Sequence, residues 1–231
     1  MPAEIRVLSA GAVQPGLVKV IDAFRRETGD DVEVVFATAP AIRKRLSSGE
    51  TADLVIAPPD LFDELEKTGT AADRNAVGRI GIGVMVRHGA PLPKIATVNE
   101  FKQSLLEAES IVYNQASTGI YLENLFDRLG ISEPLKAKTT RYADFAAVRD
   151  HVSKGAGNEI GLGAITVIIE SASKGVKFVG PLPAEVQNYT TYVAVVIATS
   201  PVKDAAVALL RYLTSPEAKA IFTSAGIEPL P

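Results

Sequence analysis

The sequence predicts an α/β protein in which a largely parallel sheet is covered by helices. Strand-like and helix-like segments alternate from the first residues onward, and three β-then-α units follow one another over residues 5–69. Consecutive units of this kind build parallel strands with helices packed against them. Two long apolar strands, near residues 79–87 and 189–198, bracket a middle block of the same alternating kind.

The first three units show this pattern most clearly. "IRVLSA" alternates as a strand does, and in the segment after it the apolar residues recur at i, i+3, i+4 and i+7, which is one face of a helix. "VEVVFA" leads in the same way into "PAIRKRLSSG", and "ADLVIA" leads into "PPDLFDELEKTG". In the first helix the apolar face consists of Leu17, Val20, Ile21 and Phe24, and Gly29 is expected to end it.

The middle block is predicted to continue as strands and helices. "RIGIGVMVRHG" reads as a long strand, "VNEFKQSLLEA" as a helix and "SIVYN" as a strand, while "STGIYLENLFDRLG" is a capped helix and "ADFAAVRDHVSKG" a further helix. "EIGLGAITVI" and "VKFVGPLP" are predicted to be short strands. "YTTYVAVVIATS" is another long strand, and residues 201–227 supply the closing helices.

The two long strands predict that the chain divides into two lobes. Each strand is long enough to cross from one lobe to the other, so we expect a discontinuous lobe of residues 1–83 plus 195–231 and an inserted lobe of residues 84–194. We expect mixed sheets with helices on both faces and two hinge crossings. Open α/β sheets bind ligands at the carboxyl ends of their strands, which predicts an inter-lobe cleft there.

The composition excludes several classes of function. The chain of 231 residues is 47% hydrophobic and 22% charged, as is usual for a folded domain, and its net charge of -3 argues against general binding to nucleic acid or anionic membranes. Cysteine is absent, which rules out disulfides, thiol nucleophiles and thiolate metal sites. No GxSxG, HExxH or P-loop motif occurs and the two histidines lie far apart, so no cofactor or metal is expected. We expect a monomer without stable membrane insertion.

The N-terminal residues bear on secretion. "MPAEIRVLSA" has neither the basic n-region nor the long apolar h-region of a signal peptide. We therefore expect either a chain made without a signal or a mature form that restarts at Met1. Both compartments, periplasm and cytoplasm, stay open on this observation.

Small residues follow four of the predicted strands, and a helix start follows each of these turns. The first turn of a helix leaves unsatisfied N–H groups and a partial positive charge, so several such turns at one place would hold an anion. A Ser or Thr before a helix also serves as a simple N-cap, and that alternative stays open for each turn taken singly. The candidate residues are Ser9, Ala10 and Gly11 in the first turn, Thr38 and Ala39 in the second, Ala57 in the third, and Ser117, Thr118 and Gly119 in the fourth, which follows Ala116.

Two larger side chains near these turns are further candidates. Arg43 lies one turn into the second helix and could reach a ligand carboxylate, whereas its neighbours Lys44 and Arg45 fit a solvated helix face. Tyr121 lies one turn into its helix and either closes over a ligand or packs against the protein.

The chain resembles the molybdate-binding proteins of bacterial ABC importers over nearly its whole length. The resemblance rests on "LSAGAVQPGLVKVIDAFRRETG", "FATAPAIRKRL" and "ADLVIAPPD" in the N-terminal half and on the ending "SPEAKAIFTSAGI". It implies a type II periplasmic-binding-protein fold, a periplasmic location, an importer permease as partner, and an oxyanion bound by hydroxyls and backbone N–H groups of the four turns.

The same resemblance implies a fifth contact region at "IGLGAITV" and two departures from the family pattern. Ala164 stands where the molybdate binders usually carry a tyrosine, and Gly11 stands where a serine is usual. Two lost hydroxyls leave more space and fewer donors for a compact oxyanion. The ligand that the resemblance implies is therefore either a molybdate-like oxyanion or a larger organic anion, such as a small carboxylate.

Aconitate isomerase, an enzyme on the same scaffold, is also similar and gives an alternative of another class. An allylic proton shift needs a general base near the substrate carbon and cations for three carboxylates. The candidate cations are Arg43, Arg87 and Arg141, and the candidate bases are Glu123, Asp144 and His88.

Overall fold

The computed structural model describes residues 3–62 and 71–230, and the chain divides into two compact units. Unit 1 consists of Met1–Ile80 and Thr191–Pro231, and unit 2 consists of Gly81–Thr190. The lobe boundaries predicted from the sequence, residues 1–83 with 195–231 and residues 84–194, stay a prediction.

The described elements alternate between strands and helices along most of the chain. In chain order they are β1 (Glu4–Ala10), α1 (Gln14–Thr28), β2 (Asp31–Ala37), α2 (Ala39–Ser47), β3 (Leu54–Ala57), β4 (Ala71–Arg87), α3 (Val98–Glu107), β5 (Ser110–Asn114), α4 (Ser117–Arg128), α5 (Ser132–Lys136), β6 (Thr139–Tyr142), α6 (Phe145–Lys154), β7 (Glu159–Ala164), α7 (Ile165–Glu170), β8 (Val176–Pro181), β9 (Tyr189–Ile197), α8 (Lys203–Tyr212) and α9 (Pro216–Ser224). Short 3₁₀ helices cover Gly11–Val13, Pro59–Leu61, Ser171–Lys174 and Ala184–Val186.

The sheet of unit 1 is parallel at its centre. β1 pairs in parallel with β2 on one side and with β3 on the other, and β9 runs antiparallel to β3. The predicted apolar face of α1 is buried, and Gly29 ends that helix in the left-handed conformation with φ 79°, which glycine adopts without strain. The predicted alternation and the predicted end of the first helix are both confirmed.

The sheet of unit 2 is mixed and carries helices on both faces. β5 pairs in parallel with β6 and β7, and β4 runs antiparallel to both β7 and β8. Successive residues of a strand point to opposite faces. On one face Ile82, Val84 and Val86 pack with the buried residues of α3 and α4, and on the other face Met85 packs with those of α6 and α7.

Two strands carry the chain from one unit to the other. β4 leaves unit 1 after Ile80, and β9 leaves unit 2 after Thr190. On the unit 2 side of both points, the side-chain amide of Gln187 binds the backbone of Ile82, accepting from its N–H at 2.8 Å and donating to its carbonyl at 2.9 Å. These two bonds satisfy the backbone N–H and carbonyl of Ile82, as a neighbouring strand would. They connect the start of the unit 2 part of β4 to the segment that precedes β9.

The structure differs from the elements expected from the sequence at several places. The segment "ITVI" was expected to extend a strand, but the strand ends at Ala164 and the residues form α7. Ile165 and Ile168, which are three apart on one helix face, pack over Gly81 and Gly83 of β4, and this contact outweighs the β propensity of branched residues. The structure also adds α5 and β6, and β4 begins at Ala71, earlier than expected. Of the helix expected over residues 58–69, the structure describes only residues 58–62, where Pro59–Leu61 form a 3₁₀ turn. The rest of that expected helix lies outside the described residues.

The amino edge of the unit 1 sheet is held together by the buried Asp53. One carboxylate oxygen accepts the N–H of Arg6 on β1 at 2.8 Å, and the other accepts the hydroxyl of Ser200 at 2.6 Å. The Asp53 backbone continues the ladder, since its N–H donates to the Arg6 carbonyl and its carbonyl accepts from Ile197. This residue, which the sequence suggests only as the start of a strand, links β1 and β3 to the end of β9.

We expect Asp53→Ala to destabilise the protein by about 2–4 kcal/mol, because the substitution leaves two donors at a largely buried position without their charged acceptor. Thermal and urea unfolding of the purified variant measure this loss. Asp22→Ala is the matched control, since the side chain of Asp22 is 51% exposed and lies 3.5 Å from Arg25. The control is expected to cost less than about 0.5 kcal/mol. Equal losses in the two variants would contradict the structural role assigned to Asp53.

Candidate functional site

Three of the predicted turns lie on one edge of the unit 1 sheet. Ala10 pairs with Ala37, and Ser9 pairs with Ile56, so the carboxyl ends of β1, β2 and β3 are aligned in register. The edge therefore collects the first three sets of candidate residues. These are Ser9, Ala10 and Gly11 after β1, Thr38 and Ala39 after β2, and Ala57 at the end of β3.

The turn after β2 presents a helix start whose cap is made by the backbone only. Thr38 occupies the N-cap position of α2 with φ −74° and ψ 154°, yet its side chain makes no capping hydrogen bond to the helix. Its carbonyl accepts the N–H of Ile42 at 2.9 Å, as the first helical bond requires. The Thr38 hydroxyl is therefore not used as a cap, and capping by that side chain does not explain the residue.

The other two turns of unit 1 contribute mainly backbone. Ser9 is fully buried, and its hydroxyl donates only a long bond of 3.3 Å to the adjacent carbonyl of Ala10. Ala57 is also fully buried and leads into Pro58. At Gly11 an added Cβ would meet no heavy atom within 4 Å in the described part of the chain. The glycine at that position is therefore not required by packing.

The carboxyl edge of the unit 2 sheet brings together the fourth turn and the fifth region. β5 and β7 are parallel, with Val112 beside Gly161, so the exits of the two strands at Asn114 and Ala164 lie on the same edge. Ala164 is the N-cap residue of α7 and has no side-chain capping bond. A small side chain there leaves the edge open beside the backbone.

The start of α4 differs from the capped helix that the sequence suggests. The N-cap is Ala116, and the hydroxyl-bearing residues Ser117 and Thr118 are the first residues inside the helix. Gly119 lies so close to the end of β5 that an added Cβ would be 2.0 Å from the Asn114 carbonyl oxygen and 3.2 Å from the ring of Tyr113. The glycine therefore allows the first turn of α4 to rest directly on the strand exit.

The two larger candidates both have protein partners. Arg43 lies 3.4 Å from the carboxylate of Asp60, in the turn after β3, and this pair is largely exposed. The Tyr121 hydroxyl donates to the carbonyl of Val186 at 2.8 Å and accepts from Arg128 at 3.2 Å. Tyr121 is thus held against unit 2 by these bonds and by packing on its core.

Five of the six candidate cations and bases of the isomerase alternative lie in unit 2, and the sixth, Arg43, lies in unit 1. Arg87 is the last residue of β4 and His88 follows it. Both lie away from the carboxyl edge, because Ile82 is the residue beside Ala164 and Arg87 pairs with Val176. Five residues of strand separate Ile82 from Arg87, which is roughly 16 Å at 3.3 Å per residue. The structure therefore does not bring these two residues to the edge that carries Ser117.

The other three candidates of unit 2 lie near that edge. Asp144 is the N-cap of α6 and accepts the N–H of Ala147 at 2.9 Å. Arg141, on β6, forms an ion pair with Glu123 of α4, with a distance of 2.5 Å between the Arg141 Nη1 and the Glu123 Oε1. The sequence suggested these two residues separately, as a cation and a base, and the fold makes them partners.

Nothing in the local sequence singles out Tyr113. Its ring nonetheless contacts both the first turn of α4 and the side chain of Arg141. Its ring packs under the first turn of α4, and the Arg141 guanidinium carbon lies 6.0 Å from the ring centroid. Burial, assisted by the nearby charge of Glu123, raises the pKa of Tyr113 to about 12. The phenol is therefore neutral at physiological pH, and the negative charge that pairs with Arg141 is the carboxylate of Glu123.

Among the described residues, no group of three or more acidic or histidine side chains is arranged to hold a metal ion. The same residues contain no helix that is long and apolar enough to cross a membrane.

Comparison with known proteins identifies the family. A profile of the bacterial extracellular solute-binding proteins matches residues 5–228. The chain belongs to this family. The solute-binding protein is 32% identical over 235 residues to the aconitate isomerase of Pseudomonas sp, covering 98% of this chain and 88% of that one. It is 26% identical over 234 residues to the molybdate-binding protein ModA of Escherichia coli K12, covering 96% and 88% of the two chains.

The fold of this solute-binding protein is confirmed by a solved structure. The periplasmic molybdate-binding protein of Azotobacter vinelandii matches with a TM-score of 0.81 over 98% of this chain and 99% of that chain, at 19% identity. Such a likeness concerns the fold alone. The predicted type II periplasmic-binding-protein fold is therefore correct.

We expect Gly119→Ala to lower stability by about 1–3 kcal/mol or to displace the first turn of α4, because the added methyl group collides with a backbone oxygen that cannot rotate away. Gly11→Ala is the matched control and is expected to change stability by less than about 0.5 kcal/mol. Thermal unfolding of both variants measures the difference. A Gly119→Ala protein as stable as the wild type would show that α4 does not rest on β5 as described.

Proposed function

We propose that this solute-binding protein captures a small anion for an ABC importer, using the turns at the carboxyl edges of its two sheets. The observation that carries the proposal is the set of helix starts without side-chain caps at those edges, at Thr38, Ala116 and Ala164. N–H groups in the first turn of a helix favour negative charge. Hydroxyls of Thr38, Ser117 and Thr118 would add neutral donors.

The ligand class follows from the donors that these turns offer. The relative from Escherichia coli is named as a molybdate binder, which supports a compact oxyanion. Gly11 and Ala164 lack the hydroxyls that the molybdate-binding pattern usually has, which supports a larger anion with carboxylate groups. We therefore propose an oxyanion or a small organic acid, and we place the emphasis on the organic acid.

The remaining parts of the proposal concern location and partners. Membership of a family of extracellular binding proteins supports delivery of the ligand to an importer permease in the periplasm. We propose that the protein acts as a monomer. That one ligand contacts both units, in an inter-lobe cleft formed by Ser9, Thr38 and Ala57 together with Ser117 and Ala164, stays a prediction from the sequence.

Thermal-shift screening of molybdate, tungstate, sulfate and mono-, di- and tricarboxylates tests the ligand class. A ligand that binds only the folded protein stabilises it by about 2.7 kcal/mol at 100 times its dissociation constant, which corresponds to a shift of roughly 5–10 °C for a chain of this size. We expect at least one anion to produce such a shift. Shifts produced only by neutral sugars or amino acids would contradict the proposal.

Two single variants extend this test to the contacts of each unit. Thr38→Ala changes unit 1 and Ser117→Ala changes unit 2, and each is expected to weaken the best anion about 5-fold to 10-fold through loss of one hydroxyl donor. Thr223→Ala is the matched control, because its hydroxyl donates to Lys219 within an exposed helix. If only one of the two site variants weakens the ligand, the contact by both units is wrong.

A second candidate function is the interconversion of cis- and trans-aconitate. Its support is the relative named aconitate isomerase, which is 32% identical over nearly the whole chain. Arg141 and Glu123, which lie at the carboxyl edge of unit 2, would act on a tricarboxylate as cation and base. Arg87 and His88 do not support this function, since they lie at the other edge.

We expect the purified protein to bind aconitate without converting it, because the Glu123 carboxylate is engaged by Arg141 and is not positioned free of it to take a proton from the substrate carbon. Incubation with either isomer, followed by chromatographic separation, measures conversion. The control is Glu123→Gln, which removes the carboxylate. Conversion by the wild type that disappears in this variant would instead establish the isomerase.

A further inference from the structure

We propose that Arg141 is the residue with which unit 2 selects a carboxylate ligand, and that Glu123 is an internal carboxylate that holds the guanidinium in place and competes with the ligand for it. The inference rests on the proposed function, because it concerns the same anion at the same edge. It adds the chemical group that is recognised and the two side chains that set its affinity.

The position of Arg141 follows from the pairing of β5 with β6. The two strands are parallel, and Arg141 lies beside Tyr113, one residue before both strands end. The Arg141 guanidinium carbon is 6.0 Å from the centre of the Tyr113 ring. The first turn of α4 rests on the same ring, since the Cβ position of Gly119 is 3.2 Å from it. The cation and the hydroxyl-bearing helix start therefore share one support.

The chemistry of the pair indicates which ligand group would take the place of Glu123. A guanidinium is a planar fork that matches the two oxygens of a carboxylate, and it remains charged at every physiological pH. The side chains of Arg141 and Glu123 are 36% and 41% exposed, so solvent reaches both partners. A half-exposed pair contributes little to stability, and one carboxylate can therefore exchange for another at small cost.

The ion pair is not needed to hold α4 in place. Leu122, Leu125 and Phe126 of this helix are buried in the core of unit 2, with exposed fractions of 0%, 0% and 3%. Burial of three large apolar side chains contributes several times more than a solvent-exposed ion pair, by the usual values for each. The Arg141–Glu123 pair is therefore not required to hold α4. Arg141, which lies beside the predicted ligand turn at Ser117, can exchange Glu123 for the carboxylate of a ligand.

The test compares carboxylates with tetrahedral oxyanions in variants of this pair. Binding of citrate, succinate, molybdate and sulfate to the purified full chain is measured by isothermal titration calorimetry. Arg141→Gln is expected to weaken the best carboxylate by about 10-fold to 100-fold, as loss of a hydrogen bond to a charged group does, while any binding of the tetrahedral oxyanions changes less than about 3-fold. Glu123→Gln is expected to strengthen the carboxylate about 3-fold to 10-fold, because the competing charge is removed.

Arg45→Gln is the matched control. Arg45 lies on α2 of unit 1 and forms an ion pair with Glu50 at 2.8 Å. The two side chains are 42% and 36% exposed, which is close to the exposure of Arg141 and Glu123. The control removes the same charge and a similar contact, and it is expected to leave the affinities for all four anions within about 2-fold.

The outcomes separate the inference from the function on which it rests. If the wild type binds none of the four anions and none of the other anions of the thermal-shift screen, both fall together. If the wild type binds an anion but Arg141→Gln loses carboxylates and tetrahedral oxyanions equally, or if no carboxylate binds, only the selection by Arg141 is wrong. Where Arg141→Gln does not fold, Glu123→Gln decides, and an unchanged carboxylate affinity in that variant overturns the inference.

Discussion

The arrangement of the candidate site in unit 1 depends on the register of its parallel strands. Ala10 lies beside Ala37, and Ser9 lies beside Ile56, so three strands end at the same level. Because side chains alternate along a strand, a shift of one residue would turn each side chain to the other face and stagger the exits. The buried Asp53 holds the opposite edge of the same sheet and thereby keeps this register.

The turns at these edges share one physical property, which is the lack of bulk. Alanine and glycine dominate them, and the helix starts at Thr38, Ala116 and Ala164 are not capped by side chains. In the described part of the chain, the first N–H groups of these helices receive no hydrogen bond from the side chain of the N-cap residue. Gly119 is small for a steric reason, because the Asn114 carbonyl occupies the space of its Cβ. Gly11 has no such neighbour within 4 Å in the described part of the chain, so packing does not require a glycine there.

Proteins that share one fold and bind different ligands distinguish those ligands by a few side chains at the site. Function is determined by the site and not by the scaffold. In unit 2 the proposed distinction rests on Arg141 and Glu123, which form an ion pair at the carboxyl edge beside the buried Tyr113. Their pairing offers a planar, charged group in addition to hydroxyls and N–H groups. Recognition of an organic acid and recognition of a tetrahedral oxyanion would therefore use overlapping but unequal parts of the same edge.

The sequence by itself determined the class of fold and the first three β–α units. Hydrophobic periodicity is a local property, and Gly29 ends α1 in the left-handed conformation that its position predicts. The candidate turns after β1, β2 and β5 could be located for the same reason, since each follows directly on a strand.

Only the tertiary structure decided which of these residues meet. The branched residues after Ala164 became a helix because glycines 81 and 83 on β4 offered Ile165 and Ile168 a surface to pack on. Arg141 became the partner of Glu123 because β6, which no strong pattern announces, pairs with β5. Both outcomes depend on contacts between segments distant in sequence, and a pattern read within a short window contains no information about them.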